Sequence, residues 1–172
     1  ARMQPYPTKP PPIDRQGVSV DDLIDFTPEL HAEALELVSH YRIGPIFTPP
    51  VVADPDGPFG TLTLPSTGGG VNWPGGSLDP ETGILYVPSV HSGTVVGLGR
   101  SDHPRSDVDW VMRGATHIPG PQGLPLFKPP YGRLVAIDLN QGEILWSVAN
   151  GNGPRDHPAL AVLQVVRDDQ FV

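Results

Sequence analysis

A turn motif that occurs twice constrains the fold of this chain more than any other feature of its sequence. The copies are LDPETGILYV at 78–87 and IDLNQGEILW at 137–146. In each copy an Asp precedes a Gly by four residues, and an apolar segment follows. An Asp side chain can hydrogen-bond the turn backbone, and a Gly supplies the positive φ that the turn needs. The motif therefore predicts tight turns that lead into β-strands.

The two copies also form a weak internal repeat. Asp79 aligns with Asp138, and Gly83 aligns with Gly142. Repeats of about 40–50 residues are typical of β-propeller blades, and an insertion would lengthen one of them. The stretch 99–130 is long, irregular and rich in proline and glycine, as functional loops and insertions are. The repeat therefore suggests propeller blades with a long loop.

Further strands and one helix are predicted around these turns. Apolar segments predict strands at 61–64, 84–88 and 94–98, and a hairpin formed by 133–139 and 143–148. For the helix, Thr27 is a good N-cap, Pro28 suits the first helical position, and Gly44–Pro45 would end it. A single helical face carries the apolar side chains of Leu30, Ala34, Leu37, Val38 and Tyr41.

Composition excludes several classes of function. The net charge of −8 argues against a nucleic-acid partner and against binding to anionic membrane surfaces, which both require basic residues. The chain has no cysteine, so it can form neither disulfides nor thiolate metal sites. Its 20 glycines and 23 prolines fit either many turns between short strands or a disordered product, and the three tryptophans and 38% hydrophobic residues favour a folded chain.

Several segments resemble quinoprotein dehydrogenases. AIDLNQGEILW (136–146) is similar to the tryptophan-docking motif of their propellers, and VNWPGGSLDPETGILYV (71–87) resembles an Asn-Trp signature followed by DPxTGxLYV. The branch that includes membrane-associated glucose dehydrogenase is the most similar. Its connecting regions resemble the segments DRQGV (14–18), DLIDFTPEL (22–30), GPIFTPP (44–50) and GPRDHPAL (153–160).

This resemblance implies a cofactor and two residues that contact it. The cofactor is pyrroloquinoline quinone (PQQ), and the residues are Asn72 and Trp73. The family also uses a divalent cation, calcium or magnesium, and a carboxylate base. The matching positions are expected upstream of this sequence, so we assign no catalytic residue and no metal ligand here. Asp138, Gly142 and Trp146 are interpreted as structural, and Trp110 as buried packing. The six histidines lack the spacing of a metal site, although His91 and His117 are candidates to face a substrate.

The predicted fold is an all-β partial propeller, with two or three of the eight blades that the family has, and one helical connector. We expect a proline-rich extended segment at 1–18, the connector at 19–44, blades at 45–160 with the loop 99–130, and an atypical tail at 161–172. The tail does not resemble the family. The chain is therefore expected to be an interior piece of a longer enzyme and to be inactive alone.

The resemblance also implies an activity for the parent enzyme. It would oxidise a sugar or an alcohol in the periplasm, in association with the membrane through other parts, and pass electrons to ubiquinone. Glucose, another aldose, quinate and simple alcohols all remain open as substrates. Two alternatives remain: a non-catalytic propeller scaffold of the outer-membrane assembly type, which would not need the Asn-Trp segment, and a disordered or misfolded product.

Overall fold

Strands predominate over helix in the computed structural model, which describes residues 7–113 and 117–161. Within those residues one α-helix, α1, spans Pro28–Ser39, and short 3-10 helices span Val20–Asp22, Pro121–Gly123 and Pro158–Leu160. The strands are β1 (Gly17–Val18), β2 (Gly44–Pro45), β3 (Val51–Val52), β4 (Thr61–Thr63), β5 (Ser77–Asp79), β6 (Ile84–Val90), β7 (Thr94–Arg100), β8 (Trp110–Arg113), β9 (Gly132–Asp138) and β10 (Glu143–Ala149).

The largest sheet is antiparallel and has four strands in the order β10-β9-β6-β5. Tyr86 in β6 pairs with Ser77 on one side and with Ala136 on the other. Ala136 pairs in turn with Trp146 in β10. The predicted hairpin of β9 and β10 is confirmed, and β6 pairs with β9 although residues 91–131 separate them in the chain.

Both copies of the turn motif lie in this one sheet, which differs from their interpretation as equivalent turns of successive blades. The first copy connects β5 to β6 and the second connects β9 to β10. The turns touch each other, because Asn140 Nδ2 donates a hydrogen bond to the Thr82 carbonyl at 3.1 Å. The repeat arises because the same turn chemistry closes two hairpins of one antiparallel sheet.

A second sheet is built around β7. The order is β3-β7-β4, with β8 also paired to β7. β7 is parallel to β3 and antiparallel to β4 and β8. The stretch 99–130 is therefore not wholly irregular, since it contains the end of β7, all of β8 and a 3-10 helix.

The helix begins as the sequence predicts and ends earlier. Thr27 Oγ1 accepts a hydrogen bond from Leu30 N at 3.2 Å, and Pro28 occupies the first helical position. The helix stops at Ser39 instead of continuing to Gly44. After the helix the chain becomes extended, and Arg42 forms a β-bridge with Thr61. The Arg42 carbonyl accepts a hydrogen bond from Leu62 N at 2.8 Å.

Buried apolar side chains join these parts. One cluster packs α1 against β4 and the segment before β9, and its buried members include Leu23, Ala34, Leu62, Leu64 and Phe127. Another lies on one face of the large sheet, where Ile13 packs against Val87, Val135 and Ile137. Ile13, in the predicted proline-rich segment, therefore covers part of this face. The atypical tail after Ala161 lies outside the described residues. Among the described helices, α1 included, none is long and apolar enough to cross a membrane.

Candidate functional site

The Asn-Trp pair lies on an exposed loop between β4 and β5. Two tight turns shape this loop: Gly69 N donates to the Ser66 carbonyl at 2.8 Å, and Gly75 N donates to the Asn72 carbonyl at 2.8 Å. Gly69 and Gly75 have positive φ angles of 75° and 65°, which glycine adopts most easily. The loop therefore depends on its glycines for its two changes of direction.

The side chains of Asn72 and Trp73 both face solvent. Trp73 is 96% exposed, more than any other large apolar residue of the described chain. Asn72 Oδ1 accepts a hydrogen bond from Trp73 N at 2.8 Å, which fixes the amide plane and leaves Nδ2 as an open donor. Gly68 lies beside that nitrogen, so no side chain covers it there. The pair therefore presents an exposed amide donor and an exposed indole donor.

A buried polar cluster holds the base of this loop. Ser89 Oγ lies 2.6 Å from both carboxylate oxygens of Asp14, and the two residues are only 3% and 8% exposed. Gly70 packs against the same two side chains, where a Cβ atom would overlap the Asp14 carboxylate. Val90 N also donates to the Gly70 carbonyl at 2.9 Å. The loop is thus fixed to the end of β6 two residues before Asn72.

Arg133 balances the charge of this cluster, and Arg15 pairs with a different carboxylate nearby. Arg133 Nη1 lies 3.8 Å from Asp14 Oδ1 and also donates to the Ile13 carbonyl. Arg15 Nε lies 3.2 Å from Asp22 Oδ1. Burial lowers the pKa of Arg15, and the Asp22 carboxylate acts in the opposite direction. A buried carboxylate is stable only when it is paired and hydrogen-bonded, and Asp14 meets both conditions.

The turn residues have the structural role that the sequence predicts. Asp138 Oδ1 accepts from Asn140 N at 2.7 Å, and Gly142 has a φ of 68°. Asp79 repeats this arrangement, and the Thr82 hydroxyl at 2.6 Å is the main cause that lowers the pKa of its carboxyl. Trp146 extends from β10, 41% exposed, with its ring centroid 6.0 Å from that of Tyr86.

The remaining candidates do not join the Asn-Trp loop. Trp110 was expected to be buried but is 42% exposed in β8, where the Arg100 guanidinium lies 4.6 Å above its ring. His91 is buried, whereas His117 is exposed, and both line one small cavity. A cleft of about 540 Å³ runs along Arg15–Ser19, and its lining does not include Asn72 or Trp73. In the part of the chain that the structure describes, no three His, Asp or Glu side chains group in a way that could hold a metal ion.

One cluster was not predicted from the sequence, that of Asp14, Gly70, Ser89 and Arg133. Asp14 was noted only as part of a segment similar to a connecting region. The adjacent glycines at 68–70 were a usable signal, because a run of glycine next to a strand end indicates close approach of other groups. The identity of those groups could not be deduced, since they come from distant parts of the chain.

Comparison with known proteins identifies a family and a relative to which the chain is similar. The family described as "PQQ: Glucose/ethanol/alcohol dehydrogenase, beta-propeller domain" matches residues 1–168. A relative described as a probable quinate dehydrogenase (quinone), from Xanthomonas campestris pv. juglandis, is 28% identical over 109 residues. That match covers 53% of this chain and 14% of the relative. The chain therefore corresponds to a small part of the length of this relative.

Proposed function

This chain belongs to the family of PQQ-dependent glucose, ethanol and alcohol dehydrogenase β-propeller domains, and on that premise we propose that it forms part of the cofactor site of such an enzyme. Asn72 and Trp73 are the proposed contacts to PQQ. The observation that carries this proposal is the exposed Asn-Trp pair on a loop whose base is buried and hydrogen-bonded. The exposed indole is accessible to a flat aromatic ligand.

The two side chains fit the chemistry of the cofactor. PQQ is flat and rich in acceptors, with quinone and carboxylate oxygens around its rings. Asn72 Nδ2 and the Trp73 indole nitrogen are donors, and neither has a partner among the described residues. Donors that approach an acceptor-rich aromatic ligand from one exposed surface are a typical element of a cofactor pocket.

The buried contacts of Gly70 would hold in place the loop that carries these donors. Asp14 and Ser89 fix Gly70, and the Trp73 amide fixes the side chain of Asn72. The Asn72 amide donor would therefore have a defined direction before a ligand arrives. Preorganisation of this kind lowers the entropy lost on binding and so strengthens it.

The chemistry itself would require other parts of the enzyme. When bound, PQQ supplies an electrophilic quinone that accepts hydride from a hydroxyl-bearing carbon. We assign no base and no cation ligand to the described residues, and we propose that the rest of the propeller supplies both. On this proposal the chain alone has little or no dehydrogenase activity, because Asn72 and Trp73 form only one wall of the site.

The substrate class that we propose is a sugar or an alcohol, with ubiquinone as the electron acceptor. Glucose, another aldose, quinate and simple alcohols were the expected alternatives, and the name of the relative supports quinate, which is a cyclic polyol acid, as one candidate. We further propose a periplasmic location and membrane association through other parts of the parent enzyme.

Titration of PQQ into the chain tests this proposal. In the variant Trp110→Phe/Trp146→Phe, Trp73 is the only tryptophan, so its fluorescence reports on this loop alone. We expect saturable quenching by PQQ. The change Asn72→Ala should weaken binding about tenfold, because a hydrogen bond to a charged group is worth roughly 1.5–3 kcal/mol.

Asn152→Ala is the matched control, since Asn152 is also exposed between glycines but lies far from Asn72 in the sequence. It should leave the affinity unchanged. If quenching were unsaturable, or equal in the Asn72→Ala and Asn152→Ala variants, the cofactor role would be wrong. A non-catalytic scaffold would then become the better interpretation.

A further inference from the structure

A small cavity lies beside the end of β6, on the side of the chain segment 117–131. Its volume is about 80 Å³. Apolar side chains form most of its wall, and polar groups occupy one side of it. The apolar lining consists of Leu62, Ile118, Pro125, Leu126 and Phe127, and the polar lining of His91, Ser92, His117 and Tyr131. Because His117 is exposed, this cavity approaches the surface at that residue.

Buried polar atoms at this cavity lack hydrogen-bond partners among the described residues. They are Nδ1 and Nε2 of His91 and the hydroxyl oxygen of Tyr131. His91 is only 5% exposed, and its backbone N donates to the Tyr131 carbonyl at 2.8 Å, which holds the two residues side by side. The Pro130 carbonyl lies toward the imidazole but not in hydrogen-bond geometry. An unpaired buried polar group costs about 1–3 kcal/mol, so three at one cavity indicate a missing partner.

Both side chains are uncharged near neutral pH. Burial lowers the pKa of His91, and the nearby Arg15 and Arg133 lower it further, against the smaller effects of Asp14 and Pro130. Burial also raises the pKa of Tyr131 to about 12. The cavity therefore offers a neutral imidazole, which has one donor and one acceptor, and a phenol hydroxyl, which has both.

The lining disfavours charged ligands. Arg15 and Arg133 near His91 oppose a cation, and the described lining lacks the carboxylates that would hold one. A free anion would lie mostly against carbon atoms, where burial of charge is costly. A neutral ligand that both donates and accepts hydrogen bonds fits the imidazole and the phenol together.

We propose that this cavity is an internal hydration site, in which ordered water molecules bridge His91 and Tyr131. A cavity of about 80 Å³ has room for roughly two or three waters at about 30 Å³ each. Each water would find polar partners on the side of His91, Ser92 and Tyr131 and complete the hydrogen bonds that the protein leaves open. This site is independent of the proposed PQQ contacts.

Water-oxygen (¹⁷O) relaxation dispersion tests this proposal, since it counts long-lived internal waters. The wild-type chain should show roughly two or three more such waters than His91→Leu/Tyr131→Phe, which removes all three open polar atoms. Tyr86→Phe is the control, because it removes a tyrosine hydroxyl outside the cavity and should not change the count. Circular dichroism confirms that each variant is folded.

Xenon binding tests the alternative that the cavity is dry, because dry apolar cavities bind xenon and hydrated cavities do not. We expect no xenon-dependent shift of the methyl resonances of Leu62, Ile118 and Leu126 in the wild type. Such shifts, together with equal water counts in the wild type and the double variant, would overturn the proposal. If the double variant does not fold, Tyr131→Phe alone should still lose at least one long-lived water, and an unchanged count would contradict the hydration site.

Discussion

Asp14 packs directly against Gly70, so closely that any side chain at position 70 would overlap the Asp14 carboxylate. Gly70 does not have one of the positive φ angles found in this loop, so its requirement for glycine is steric rather than conformational. Gly69, its neighbour, has the opposite requirement, with a φ of 75° and an open environment. Adjacent glycines thus serve different purposes in the loop that presents Asn72 and Trp73.

We predict that Gly70→Ala destabilises the fold by about 1–3 kcal/mol, the usual cost of overpacking a well-packed site. The added methyl group must displace either the Asp14 carboxylate or the loop. Urea unfolding measures the loss. The same variant should also bind PQQ more weakly, because the displaced loop carries Asn72.

Gly68→Ala is the matched control, two residues away in the same loop. A Cβ there would meet Asn72 Nδ2 at 3.4 Å and Ser66 Oγ at 3.7 Å, which are ordinary contacts. Its stability should stay within a few tenths of a kcal/mol of the wild type. Equal losses for the two variants would mean that Asp14 does not restrict position 70.

We predict that Ser89→Ala also destabilises the fold, by about 1–3 kcal/mol. Its hydroxyl lies 2.6 Å from both oxygens of Asp14. Of the partners that the described residues offer, the substitution would leave this buried carboxylate only the Arg133 guanidinium, at 3.8 Å. Thermal or urea unfolding measures the effect. Ser147→Ala, at an exposed position of β10, should be nearly neutral. A neutral Ser89→Ala would show that Asp14 is hydrated in solution.

Stability should fall as the pH drops below about 6.5, and His91 should account for part of this fall. The pKa of His91 is lowered from 6.5 in the folded chain, so the unfolded chain binds a proton more readily. Above about pH 6.5 the His91 side chain is neutral in both the folded and the unfolded chain, and its contribution to stability is fully present. Below about pH 6.5 the unfolded chain binds a proton first, so stability falls until the pH reaches the lower pKa of the folded chain. Arg15 and Arg133 oppose the charged imidazole, Asp14 favours it, and Tyr131 stays neutral.

Urea midpoints between about pH 5 and about pH 8 measure this dependence. Replacement of His91 by Asn should flatten it. His40→Asn, at an exposed histidine, should keep the wild-type slope. A wild-type slope in the His91→Asn variant would mean that other groups carry the pH dependence.

Local chemistry made much of the secondary structure predictable. Thr27 and Pro28 fix the start of α1, because the capping oxygen and the proline ring act within one turn of the chain. Asp79, Gly83, Asp138 and Gly142 define the two hairpin turns for the same reason. The resemblance of the Asn-Trp segment and the docking motif to quinoprotein dehydrogenases was sufficient to identify the family, which the match over residues 1–168 shows.

The partners of these elements depended on the tertiary structure. Sequence reasoning assigned the two turns to successive blades, whereas the pairing of β6 with β9 places them in one sheet. Nothing near Asp14 in the sequence indicates that Ser89 and Gly70 will surround it. Nor does the sequence indicate that the His91 imidazole will be buried beside Tyr131 with no hydrogen-bond partner among the described residues. Turns and caps are formed by atoms a few residues apart, and the sequence determines them by itself. Pairing, burial and the cluster beneath Asn72 and Trp73 join residues distant in the chain, and only packing of the whole fold decides them.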